Sequence, residues 1–390
     1  MSELKVNSIK GVAASDAAIT INNTDGTCTA NITSVNGGAL SSRRMNLNGA
    51  CLVNQRGNKT GLTVSGAPHY VVDRFRHYFT EGTFSISQEN DAPAGSGLTK
   101  SLKIQCTTAD TNQDVGAVHN LTYPFEGQDV QGLAKGTSGA KQLAVQFWCK
   151  AYQTGAFNIT LFDEDNNRFT NQTFTISASN TWEKKELIFP ADTTGTITAD
   201  NSASLNLDIK LAVGTNYTSG SLQTAWGAST TANSGVGQTV NIADNTNNNF
   251  YITGLQIEIG NVHTDFEHRS FGQELALCRR YCYVLDMPAN DFLENGTGFA
   301  QSETVCRHFI QLPVAMRTNP TFTGTATAVK FYSNNQGASF NADTFTFSGT
   351  PVKDNCLGVA LYATTSSITA GQGGTIQALA DGSLTFDAEL

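Results

Sequence analysis

The stretch Phe250–Leu285, FYITGLQIEIGNVHTDFEHRSFGQELALCRRYCYVL, decides the fold. Its first part alternates. Tyr251, Thr253, Leu255, Ile257 and Ile259 share one face of an extended strand, and Ile252, Gly254, Gln256 and Glu258 share the other. The period then changes. Ser270 followed by Gln273 has the spacing of a capping box, and Leu275, Cys278, Cys282 and Leu285 fall on one helical stripe. A half-buried strand running into a short amphipathic helix predicts the closing element of a β-domain, with a handover near Asp286.

Composition agrees with that reading. The chain has 390 residues, only 15% of them charged, and it lacks long windows rich in Ala, Glu, Lys and Leu. Many short strands joined by polar turns follow, which is sandwich architecture rather than α/β layering. The 22 Phe, 10 Tyr and 3 Trp residues suffice for a sizeable core.

Three segments are expected. Residues 1–45 are small and polar, with weak alternation at Leu4 and Val6, and are too poor in large apolar groups to form a core alone. They predict an extended segment ordered by packing on a partner. Residues 46–286 carry frequent strand candidates: YVVDRFRHYF (70–79), SLKIQC (101–106), KQLAVQFWCKAY (141–152), AFNITLFDED (156–165), WEKKELIFP (182–190) and LNLDIKLAVG (205–214). With FYITGLQIEIG they suit a jelly-roll sandwich ending in a short helix. Residues 287–390 predict a second, smaller β-sandwich, from HFIQLPVAM (308–316) to SLTFDAEL (383–390).

The formal net charge of −9 argues against a nucleic-acid binder, which would show a basic stripe; the densest basic clusters, Arg43–Arg44 and Arg279–Arg280, are too short to bind a phosphate backbone strongly. The opening MSELKVNSIKGVAASDAAITI has no apolar core of a signal peptide, and no window reaches the ~18 apolar residues of a membrane span. Synthesis and folding in a cytoplasm are expected. The eight cysteines are scattered, with only Cys278 and Cys282 close. Without an export signal they read as free, mostly buried thiols.

Candidate chemistry is sparse. Asp163, Glu164 and Asp165 offer oxygen ligands for Ca2+ or acids for glycoside hydrolysis, but stand where a strand ends and so read first as a polar turn. His263, Asp265 and Glu267, with His268 adjacent, alternate as a cation site would, and equally as a solvated edge. No catalytic residue, cofactor or metal is expected. Trp148 and Trp182 lie in or beside strands and read as core or structural. Trp226 sits with Tyr217 in a Gly/Ser/Thr-rich loop, TNYTSGSLQTAWGAST. These two aromatics are the candidate glycan-binding residues, because a ring face takes the apolar C–H side of a sugar. A loop aromatic pinned on its own domain is the competing reading.

Several segments together carry a family likeness: GACLVNQRG (49–57), VVDRFRH (71–77), VQFWCKA (145–151), ISASNTWEKKELIF (176–189), FYITGLQIEIG (250–260), FEHRSFGQELALCRRYCYV (266–284) and LPVAMRTNPTFTG (312–324). In these the chain resembles tail-fibre and other virion-surface proteins of tailed bacteriophages, particularly those with a jelly-roll domain like a carbohydrate-binding module. SELKVNSIKG is similar to the opening segment that anchors such proteins to a virion. The resemblance implies a homotrimer attached by its N-terminus to other virion proteins, assembled in the host bacterial cytoplasm and adhering to host surface polysaccharide. A capsid decoration or head-fibre protein, or a polysaccharide-degrading tailspike, are the alternatives. It implies no catalytic residues and no membrane insertion.

Overall fold

The structure, a computed structural model of the chain, describes residues 42–64, 66–289, 291–292, 298–324, 329–333, 342–347, 356–363, 369–378 and 380–390. Residue 24 and short strands at Ser8–Ile9, Ile19–Ile21 and Cys28–Ala30 are also described. The rest of the attachment segment expected over 1–45 lies outside the described residues.

The protein is mainly β, and its larger part is a jelly-roll sandwich of two antiparallel sheets. The six-stranded sheet runs, in spatial order, Glu183–Phe189, Leu143–Ala151, Asn249–Ile259, Ser101–Thr108, Thr83–Glu89, Lys59–Leu62. The seven-stranded sheet runs Gly227–Ala228, Arg168–Ile176, Gly155–Asp163, Ala203–Val213, Val118–Glu126, Arg76–Phe79, His69–Tyr70. Alternate residues of each strand meet between the sheets: Phe84, Ile104, Val145 and Phe147 from one, Leu121, Phe157, Leu161 and Leu207 from the other. Each fully buried side chain of this size contributes roughly 1.5–3 kcal/mol.

The deciding strand does not keep its alternation. Gln146 pairs with Gln256 but Trp148 with Thr253, so the Asn249–Ile259 strand carries one extra residue at this point. Gly254, at φ 62°, makes the bulge. Its effect is to exchange faces: Phe250 and Ile252 point into the core with Leu255 and Ile257, whereas a continuous period of two puts them on opposite sides.

The helix spans Phe271–Cys278 and has the expected capping box, with Ser270 Oγ accepting from Gln273 N and Gln273 Oε1 accepting from Ser270 N. Two further expectations are corrected here. The helix stops at Cys278, and Cys282 and Leu285 lie in a strand, Cys282–Met287, not on the helical stripe. That strand pairs with Gly382–Asp387, so the chain enters the second sheet system before residue 286. The helix also buries Glu274 together with Cys278. Glu274 binds the Arg44 guanidinium and accepts from the Asn48 amide at 2.7 Å, which ties residues 44–48 to the helix.

The smaller part has a three-stranded sheet (Cys282–Met287, Gly382–Asp387, Thr321–Gly324) and a six-stranded sheet built on Val305–Gln311 and Cys356–Ala363. Tyr283, Ile310, Phe331, Ile376 and Phe386 share its core. Among the described residues no helix is long and apolar enough to cross a membrane.

Candidate functional site: a cleft on the outer face of the seven-stranded sheet

Strand register lays out the site. Inward positions of the central strands are apolar, so the alternate positions face outward. Arg76, Thr122, Asp208 and Thr160 form one row across four strands. Tyr78, Asn120 and Lys210 form a second, and Asn206, Phe162 and Phe169 a third. All of them line one cleft of about 380 Å³, which Glu164, Ser229 and Ser234 help to close.

The polar groups here are partly committed. Thr122 donates its hydroxyl to Asp208, and Lys210 Nζ lies 3.7 Å from the same carboxylate. Asn206 donates through Nδ2 to Glu164 Oε1 at 2.6 Å. Two acceptors are left over: the side-chain carbonyl oxygens of Asn206 and Asn120 are buried and have no hydrogen-bond partner. Asn206 is only 2% exposed. A buried acceptor without a donor costs about 1–3 kcal/mol, and a ligand hydroxyl entering the cleft would relieve that cost. Burial raises the Glu164 carboxyl above its ordinary range against the opposing pull of Arg76, and nearby Asp208 raises it further.

The arrangement joins ring faces to oriented acceptors and donors. Phe162 and Tyr78 are half-buried, so part of each ring remains reachable. Such a surface suits a polyhydroxylated ligand with apolar C–H faces.

The aromatics singled out in the sequence lie elsewhere. Trp226 is half-buried, packs against the sandwich core, and donates its indole N–H to the Pro190 carbonyl at 2.7 Å. The Lys135 ammonium sits 4.5 Å from the ring centroid. Tyr217 is half-buried at a neighbouring turn, its hydroxyl 3.5 Å from the Gly116 carbonyl. Neither lines the cleft.

The acidic run divides three ways. Asp163 is buried against Lys135 and accepts from Asn166, Asp165 accepts from the Thr198 amide at 2.7 Å, and only Glu164 reaches the cleft. His263 faces the Leu187 carbonyl at 3.0 Å, whereas Glu267 accepts from the Arg44 amide. Among the described residues no three His, Cys, Asp or Glu side chains gather as a metal site would. Cys51, Cys106, Cys149, Cys278, Cys282 and Cys306 are free and buried. The missed cleft residues had one signal, the polar outward positions of LNLDIKLAVG, but alternation alone does not say which outward face is concave.

No known family pattern and no curated protein matches this chain in sequence. Solved structures show loose likenesses. The enzymatically active domain of tailspike protein 4 from bacteriophage CBA120 matches with 11% identity and a TM-score of 0.29, over 55% of this chain and 21% of that one; this chain thus spans about a fifth of that domain's length. A family 11 carbohydrate-binding module from Clostridium thermocellum matches with 12% identity and a TM-score of 0.26, over 53% of this chain and 99% of that one. A xylan-binding domain from Paenibacillus barcinonensis matches with 11% identity and a TM-score of 0.26, over 59% and 100%.

Proposed function

We propose that this chain is a non-catalytic glycan-binding protein, and that it serves as a trimeric tail fibre of a tailed bacteriophage. The observation that carries the binding reading is the pair of unpartnered buried acceptors, Asn120 and Asn206, beside the Phe162 ring. In this reading a pyranose lies with its C–H face on Phe162 and gives hydroxyl protons to both amide oxygens. Asp208, Lys210 and Arg76 complete its hydrogen bonds.

The virion role rests on the sequence resemblance alone. Residues 1–45 would attach the trimer to other tail proteins, or to the capsid if the protein is a head fibre. The glycan would be host surface polysaccharide, and three copies would raise the avidity of weak contacts.

Hydrolysis is the second reading, because Glu164 and Asp208 share the cleft. The hydrogen bonds argue against it: Glu164 accepts from Asn206 at 2.6 Å, and Asp208 accepts from Thr122 and lies 3.7 Å from Lys210, so neither carboxyl group stands free for proton transfer. Incubation with purified host polysaccharide tests both readings. Retention that is lost in Phe162→Ala, with polysaccharide length unchanged, supports binding; shortened chains would establish the hydrolase, and undiminished retention by Phe162→Ala would remove the cleft from the site.

A further inference from the structure

The opposite sheet carries a second groove, of about 340 Å³. The bulge creates it. At Gly254 the six-stranded sheet turns an empty Cα outward, and a Cβ there would stand 2.7 Å from Leu98 Cδ1 and 3.2 Å from Trp148 Cδ1. Leu98 packs into the place that side chain would take and, with the bare Cα, forms the floor beside the Trp148 indole. Trp148, expected from its alternating strand to be core, is therefore half-buried on the outer face. Phe266 forms another wall, held by the Arg44 guanidinium 5.0 Å from its centroid on the protein side.

The polar lining is oriented. Gln146 is only 2% exposed. Its Nε2 donates to the Thr264 carbonyl at 2.5 Å, and because that oxygen can only accept, the amide orientation is fixed. Oε1 then faces away and has no partner. The Trp148 indole N–H likewise makes no hydrogen bond to any described residue. Lys184, whose ammonium gives one of its three protons to Glu186 at 2.6 Å, stands at the rim with donors remaining, and Asp265 and His268 close the far side.

We infer that this groove is a second saccharide site, which holds one pyranose residue on the Trp148 indole. The sugar's C–H face stacks on the ring. One hydroxyl donates to Gln146 Oε1, and a ring or hydroxyl oxygen accepts from Lys184. The inference takes only its ligand class from the glycan reading of the cleft, since the two sites share no residue and lie on opposite sheets. A chain with both sites engages two glycan strands at once, which multiplies avidity within a single subunit.

The test uses the full chain labelled with 5-fluorotryptophan, with Trp148→Phe assigning one of its three fluorine resonances. The probes are a panel of neutral and uronic-acid oligosaccharides taken to millimolar concentration. The expected result is a saturable shift of the Trp148 resonance with at least one probe. Gln146→Leu should weaken that titration about tenfold, the worth of one neutral hydrogen bond, and Phe162→Ala should leave it unchanged. A Trp148 resonance that no probe moves, or one whose response disappears in Phe162→Ala, overturns the second site. A Trp148 response in a protein whose cleft never binds keeps this site and sinks the cleft reading. The titration itself is read in the unmutated chain, and Trp148→Phe, Gln146→Leu and Phe162→Ala are compared only once the dispersion of their remaining fluorine resonances shows each to be folded.

Discussion

Arg74 and Glu389 form a buried ion pair between the two parts of the molecule. Both side chains are 2% exposed. The Arg74 backbone lies in the left-handed region, at φ 74°, which directs its guanidinium toward Glu389, the Pro124 carbonyl at 2.7 Å and the Tyr281 ring, 3.5 Å from its centroid. The Arg74 amide also donates to Glu389 at 3.2 Å, and Arg56 lies 3.4 Å from the same carboxylate. Removing this carboxylate leaves the buried Arg74 cation without an anion, while Arg56 keeps Asp387 at 2.8 Å and Asp73 at 3.6 Å. Glu389→Gln should therefore destabilise the fold by about 3–5 kcal/mol, read as a lower urea midpoint. A midpoint within error of the parent would show that the pair contributes nothing net.

Acid should weaken the sandwich through its histidines. His77 and His119 meet through their Nε2 atoms inside the core, one donating to the other, among Phe79 and Phe84. Burial holds His119 down at about 3, and burial with the neighbouring His119 holds His77 well below its ordinary value. In the unfolded chain both imidazoles take protons once the pH falls below about 6.5. The folded pair does not follow until far lower. Stability from this source is thus fully present above pH 6.5 and is lost as pH falls, at roughly 1.4 kcal/mol per pH unit for each ring. Unfolding free energies measured between pH 7 and 5 should show that slope, to which buried His308, held at about 4, adds its own, and His119→Leu should lower the total by one ring's share. A slope untouched by the substitution would assign the acid sensitivity elsewhere.

The sequence reveals elements more readily than faces. The capping box at Ser270 and Gln273 is local, so it is readable without the fold. The period of two in FYITGLQIEIG correctly marks a strand, yet one glycine reverses which half faces the core, and a bulge has no signature beyond that glycine. Trp148 shows the same limit, because an outward tryptophan and a core tryptophan alternate alike. Glu274 looks like an exposed helix residue until Arg44, 230 residues earlier, covers it. The cleft is the extreme case. Its rows come from separate strands, so only the register assembles Arg76, Thr122, Asp208 and Thr160 into one surface.

Trp226 offers a direct separation of packing from binding. Its ring packs on the core, and its N–H is taken by the Pro190 carbonyl. Trp226→Phe keeps most of the packing and loses the hydrogen bond, at a cost of about 1 kcal/mol. Trp226→Ala also empties the ring's place and should cost about 3 kcal/mol. Chemical denaturation of the two variants measures these values. Polysaccharide retention should match the parent in both once they are compared in the folded state, whereas loss of retention in a fully folded Trp226→Phe would place this residue on the binding surface.

The bulge makes opposite predictions for two glycines in the same stretch. Gly272 lies in the helix, where an added Cβ meets nothing within 4 Å. Gly272→Ala should stabilise the protein by up to about 1 kcal/mol through helix propensity. At Gly254 the same methyl group meets two obstacles. The φ of 62° is costly for an alanine, by roughly 1–2 kcal/mol, and Leu98 and Trp148 must both move to admit the Cβ. Gly254→Ala should lower the unfolding free energy by about 2–4 kcal/mol, adding the overpacking cost. It should also shift the Trp148 emission, because the methyl group presses Leu98 and the indole apart. Equal effects of the two substitutions on stability would mean that Gly254 imposes no bulge, and the assignment of inward and outward faces along Asn249–Ile259 would fall with it.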